Sequence, residues 1–263
     1  MEVAELANVD WSAPWLTPVA GLGRIVAASG DWRKSLNQAA AAANVRNSSG
    51  QRITFCEADA APDEPYETCI ARTGCVPTRA NLHDFFNALI FLRFPSAKAR
   101  LNRVQAAAIA HDGIGAVRGP IRDAATLIDE NSVLVVTDRS DIVDSLRDHD
   151  WPNLFQNRRS AWAGGVNVLA FGHALLQKLQ HPYKGITAHA LHIALAPDSS
   201  LDQIDRCMAA GLDQRLTPRD LMPLPVLGIP GWWAQNENPD FYSDPAVFRP
   251  AKMRPDRKAE TDL

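Results

Sequence analysis

The sequence predicts an α+β fold, a helix-rich single domain with a small antiparallel sheet or hairpins and an irregular proline-rich C-terminal segment. Three observations predict it. Apolar residues recur at helical spacing over long stretches, above all in residues 77–112; short runs rich in β-branched residues are bounded by turn chemistry; and prolines crowd the chain after residue 216. At 263 residues, with 46% hydrophobic and 22% charged side chains, the chain is of a size that one hydrophobic core can organise. Residues 1–250 are therefore read as one domain. Residues 251–263, which mix both charges and hold no large apolar group beyond Met253, are read as a flexible tail.

Taken in order, residues 10–33 carry Trp11, Trp15 and Trp32 between prolines and glycines, which suggests an irregular segment anchored by aromatic rings. The Ala-rich residues 35–45 follow as a helix closed by Asn47-Ser48-Ser49-Gly50, and residues 51–57 as a short strand. Residues 77–112 read as helix, break, helix: Asn81 caps the first, Pro95 interrupts, and Ala97, Leu101, Val104 and Ala108 stripe the second. Residues 124–128 and 133–137 then look like a hairpin turning at Asp129-Glu130-Asn131-Ser132. Helices are expected near 141–148, 168–180 and 201–212, with a strand at 186–195. Pro218, Pro223, Pro225 and Pro230 rule out long regular elements thereafter.

Composition narrows the function classes. A formal net charge of -3 provides no general attraction for phosphate backbones, which argues against nucleic acid as a partner. No apolar run approaches the roughly 20 residues of a membrane span, and the acidic N-terminus lacks the pattern of a secretory signal, so a cytoplasmic protein with no membrane partner is expected. Cys56, Cys69, Cys75 and Cys207 lack zinc-knuckle spacing and read as buried reduced thiols. Nucleophile-elbow, phosphate-loop and paired-histidine metalloprotease motifs are absent.

Three clusters carry candidate chemistry. On a helix, His83, Asp84 and Asn87 share one face, opposite Leu82, Phe85, Phe86, Leu89 and Leu92. Short polar groups beside Phe91 suggest a shielded face, fit for a pocket; equally, Asn81 with Asp84 resembles a capping box, and the polar trio then only satisfies backbone. The second cluster is Arg118, Arg122 and Asp123: two guanidinium groups able to clamp a carboxylate or phosphate, and a carboxylate able to orient one of them or act as a base. An internal ion-pair network is its structural alternative. In the third, Gly172 lets another backbone approach closely and His173 opens an apolar helix, where it reads as a core histidine with satisfied nitrogens ahead of a ligand or base. His189 and His192, three apart in a strand, point to opposite faces and make poor joint metal ligands. The run from Pro223 to Trp233, with Trp232 and Trp233, suits a pocket wall, a core plug or the interface of a homo-oligomer, and Asp244 with Arg249 reads as an ion pair.

Taken together, Pro77-Thr78-Arg79 through Asn87-Ala88-Leu89, Arg118-Gly119-Pro120 through Asp123, Thr126 with Asp129-Glu130-Asn131, Gly172-His173-Ala174-Leu175 and Gly228-Ile229-Pro230-Gly231-Trp232-Trp233 resemble the proteobacterial domain-of-unknown-function 3025 family. The similarity spans residues 11–250 and departs from the pattern at Phe91, where tryptophan is expected, and around Cys75, where a polar residue is usual. The resemblance implies no activity.

Two functions compete on these residues. In one, His83 is the acid or base, Asp84 or Asp123 orients it, and Asn87, Arg118, Arg122 and His173 bind a small anionic substrate in a hydrolase-like enzyme. The cofactor is unknown; a divalent metal held by His83, Asp84 and His173 is permitted by ligand chemistry but not demanded by spacing. In the other, the same groups form a buried polar network of a binding or scaffold protein.

Overall fold

The computed structural model describes residues 6–60, 64–113, 119–212 and 217–250. Within them the chain is the expected α+β domain. Helices α1 (Ala20–Ala27) and α2 (Trp32–Ala42) lead into strand β1 (Thr54–Cys56). Helix α3 (Tyr66–Thr73) joins it to β2 (Cys75–Pro77), and β1 and β2 pair in parallel. Then come α4 (Leu82–Arg93), α5 (Pro95–Asp112), α6 (Pro120–Asn131), β3 (Ser132–Val136) and α7 (Ser140–Arg147). Strand β4 (Asn167–Ala170), α8 (His173–Lys178), β5 (Thr187–Ile193), α9 (Leu201–Gly211) and β6 (Met222–Pro225) complete the fold, followed by short 3-10 turns through the proline-rich segment.

The larger sheet has the order β4-β3-β5-β6. Its centre is a parallel pair, β3 with β5, in which Leu134 lies opposite Leu191; β4 and β6 flank it antiparallel. Strand β3 is buried along its whole length, and its continuous Val133-Leu134-Val135-Val136 run fits a strand covered on both faces. A parallel neighbour needs a crossover, and α7, β4 and α8 supply it between β3 and β5.

Five expectations are corrected. Residues 124–128 are not half of a hairpin but the middle of α6, which starts with Gly119 as N-cap and Pro120 at its first position. Asp129-Glu130-Asn131 is its last turn. The burial of Ala124, Ala125 and Ile128 on one face outweighs the β-like composition. Residues 20–27 form a helix where irregular chain was expected, and the helix anticipated at 168–180 is the strand β4 followed by the short α8. Cys56 and Cys75 are joined in a disulfide across β1 and β2, leaving Cys69 buried and Cys207 half-buried as free thiols. Asp244 pairs with Lys184 at 3.2 Å rather than with Arg249, whose Nε donates to the Ala246 carbonyl.

Trp232 is buried against Trp15, the rings 6.2 Å apart, so it fills the core of its own chain; Trp233 is half-buried and donates to Gln235. Among the described residues no helix is long and apolar enough to cross a membrane. Residues 251–263, read as a flexible tail, lie outside the described residues.

Candidate functional site

A cavity of about 430 Å³ opens among α3, α4, α5, α6 and the start of α8. Each helix contributes polar groups to it: Tyr66 and Glu67 from α3, His83, Asp84 and Asn87 from α4, Lys98 from α5, Asp129 and Glu130 from α6, and His173 from α8.

Local chemistry explains these placements. Asn81 caps α4 by accepting from the Asp84 backbone N–H at 2.8 Å, half of the anticipated capping box. The other half differs, because the Asp84 carboxylate accepts instead from the backbone N–H of Arg79 at 2.6 Å and from its guanidinium at 3.0 and 3.1 Å. Asp84 thus fixes Arg79 at the cavity mouth and does not orient His83. The orienting group is Gln177 on α8, whose Oε1 lies 3.2 Å from His83 Nδ1. A carbonyl oxygen only accepts, so His83 carries its proton on Nδ1 and turns the lone pair of Nε2 inward.

At that inner end three groups from three helices converge. The Nε2 atoms of His83 and His173 are 3.1 Å apart, and Glu130 Oε2 lies 3.3 Å from His173 Nε2 and 3.9 Å from His83 Nε2. This convergence depends on Gly172. A Cβ there would sit 2.4 Å from the Ser132 nitrogen and 2.5 Å from the Glu130 carbonyl oxygen, so only glycine lets the start of α8 press against the end of α6. The N–H groups of Phe171 and Gly172 both donate to the Ser132 carbonyl, locking the junction. His173 is 3% exposed, and its Nδ1 is buried without a hydrogen bond of normal geometry. Burial pushes its imidazole down to about 4, against the pull of Asp129, whose carboxylate and carbonyl favour the protonated ring.

Beneath the triad runs a buried network. Lys98 pairs with Asp129, donates to Asn87 Oδ1 at 2.8 Å and lies 4.3 Å from the centre of the Phe91 ring. Asn87 in turn donates to the Tyr66 hydroxyl at 2.8 Å. Burial alone would raise the Asp129 carboxyl, but Lys98 and the two imidazoles together hold it below the ordinary carboxylate range. Burial, reinforced by the Asp129 charge, pushes the Tyr66 phenol up and keeps it protonated.

Of the residues singled out in the sequence, the structure brings His83, Asp84, Asn87 and His173 to one cavity. Arg122 is half-buried and Asp123 exposed, on the first turn of α6; neither lines the cavity. Arg118 lies outside the described residues. The groups that sequence reasoning missed are Glu130 and Asp129, hidden in a supposed turn, Arg79, Gln177 and Lys98. For Lys98 a signal existed: Lys98, Asn102 and Gln105 recur at spacings of four and three, a second polar stripe beside the apolar one, and all three are buried.

A family model described as a protein of unknown function, DUF3025, matches residues 53–252. The chain belongs to the DUF3025 family. The region shared with DUF3025 holds every cavity group named above, and the resemblance carried by the motifs from Pro77 to Trp233 is borne out. Neither a curated protein nor a solved structure matches the chain.

Proposed function

We propose that the chain is a hydrolytic enzyme using acid-base chemistry on a small substrate with an anionic group, and that the cavity at His83, Glu130 and His173 is its active site. One observation carries the reading: two imidazoles and a carboxylate from three separate helices meet within 3.9 Å in an open cavity. A histidine needed only for packing would satisfy its nitrogens on backbone, whereas here the reactive ends of both rings face one another and the space a ligand would enter.

In this reading His83, whose side chain is 29% exposed, is the general base, and Gln177 holds its tautomer. Glu130 stands beside it to balance the imidazolium that forms. Arg79 takes the role first given to Arg118 and Arg122: Asp84 holds its Nε and Nη2, and the positioned guanidinium would meet the anionic group of the substrate at the mouth. The Lys98-Asp129-Asn87-Tyr66 network keeps α3, α4, α5 and α6 in register around the substrate.

The test is turnover of a panel of small esters, amides and phosphate esters by the full chain and by His83→Gln and Glu130→Gln. At least one class should be hydrolysed, and each variant should lose about 10²- to 10⁴-fold in kcat/KM while keeping its Tm. Absence of hydrolysis across the panel, or variants that lose several degrees in Tm without a kinetic effect, would favour the scaffold reading instead.

A further inference from the structure

We infer that His83, Glu130 and His173 form a binding site for one transition-metal dication of the zinc class, with an open coordination position facing the cavity. Geometry is the first argument. Nitrogen and oxygen ligands at about 2.0–2.2 Å from a single tetrahedral ion lie roughly 3.4 Å from each other. The three separations here are 3.1, 3.3 and 3.9 Å, and the ligand atoms fall within 4.8 Å of one another. Two imidazoles with one carboxylate also select the metal class, because magnesium and calcium prefer oxygen donors.

Proton accounting is the second argument. His83 commits its proton to Gln177, so its Nε2 is an acceptor, and Glu130 Oε2 is another. A hydrogen bond between the two facing Nε2 atoms then needs the His173 proton on Nε2. Placing it there strands His173 Nδ1 as a bare buried nitrogen, the atom that has no hydrogen-bond partner. A cation at the centre takes the lone pairs of both Nε2 atoms and leaves His173 Nδ1 to carry the ring proton.

Charge is the third. Among the described residues the cavity lining holds four carboxylates, Glu67, Asp84, Asp129 and Glu130, surroundings that favour a cation. Three protein ligands and a fourth, open position are the coordination of catalytic zinc, where the ion's contribution is to acidify a bound water. This last use rests on the hydrolytic reading above, with the ion-bound water taking over the role of base from His83, whose Nε2 lone pair the ion occupies; the binding site does not rest on it.

The experiment is titration of the full chain, freed of metal by chelator, with Zn²⁺ by calorimetry and with Co²⁺ by visible absorption. We expect one ion per chain, Co²⁺ bands of four- or five-coordinate intensity, and a rise in Tm with Zn²⁺. His83→Gln and Glu130→Gln should each weaken binding at least 100-fold, Gln177→Leu by roughly 10–100-fold as an outer partner. His111→Gln, at an exposed histidine on α5, should bind as the parent does. His83 and Glu130 are partly exposed, so these variants test the site even if His173→Asn does not fold. Substoichiometric uptake by the parent, or uptake unchanged in His83→Gln and Glu130→Gln, overturns the inference. One bound ion without hydrolysis upholds the site and removes the hydrolytic reading; hydrolysis by chelated protein that takes up no Co²⁺ does the reverse.

Discussion

Lys98 carries an ammonium group into a space sealed from water, its side chain 3% exposed, and survives there because Asp129, Asn87 and the Phe91 ring surround it. Cutting one partner from such a pair is worse than removing both. Lys98→Met should cost about 3–5 kcal/mol by leaving Asp129 uncompensated, and adding Asp129→Leu should recover most of that loss. Urea unfolding of the two variants checks it; a double variant as unstable as the single one contradicts the account. A second carboxylate, Asp141, is held by Arg139 and Arg158, whose hydrogen bonds at 2.8–3.1 Å keep it far below the usual carboxylate range. Its folded pKa is the lower one, so its contribution is present above about pH 4 and is lost as pH falls through the folded value. The Tm gap between the parent and Asp141→Asn should therefore be widest near neutrality and shrink toward about pH 2. An unchanged gap in acid would refute the assignment. At this scale the sequence showed residue types but not partners: Asp84 stands beside His83 in the chain, yet its bonds go to Arg79, because a helix turns neighbours 100° apart.

At the scale of elements, the junction between α6 and α8 makes the site. Gly172→Ala should cost about 1–3 kcal/mol or more, since the new methyl meets backbone rather than a yielding side chain, and should also pull His173 away from Glu130. Its distinguishing mark is loss of Co²⁺ uptake together with lowered stability, whereas a variant that binds Co²⁺ as the parent does would show that the close approach is not required. This glycine was legible in the sequence; its partner was not. Residues 124–137 satisfy a hairpin pattern, and only Pro120 at the first helical position, with Asp123 in the first turn, signals the helix that turns Glu130 inward. The β1-β2 pair carries the disulfide, which closes a separation of 19 residues and should contribute roughly 3 kcal/mol. Non-reduced, unfolded protein should show two titratable thiols, Cys69 and Cys207, and reduction should lower Tm by several degrees.

For the molecule as a whole, the family match starts at residue 53, but the core does not. Trp15 and Leu16 are buried, with Trp15 packed on Trp232; Val26 and Leu36 are fully enclosed; and Trp11 and Trp32 pack edge-on against Phe85 of α4 at 6.3 and 5.9 Å. The N-terminal helices thus roof the side of α4 opposite His83 and Asn87, as the amphipathic pattern of that helix requires. Deleting residues 1–52 saves the entropy of ordering them but bares Phe85, Phe86, Phe55 and Trp232. Each large side chain so exposed costs about 1.5–3 kcal/mol, and together they approach the 5–15 kcal/mol by which a domain is stable at all. A chain starting at residue 53 should therefore show no cooperative thermal transition and no near-ultraviolet signal from ordered tryptophans, and its Co²⁺ uptake should vanish with them. Should that fragment unfold cooperatively within a few degrees of the parent and still bind the ion, the core of the family-matched region would be self-sufficient and residues 6–52 an accessory layer.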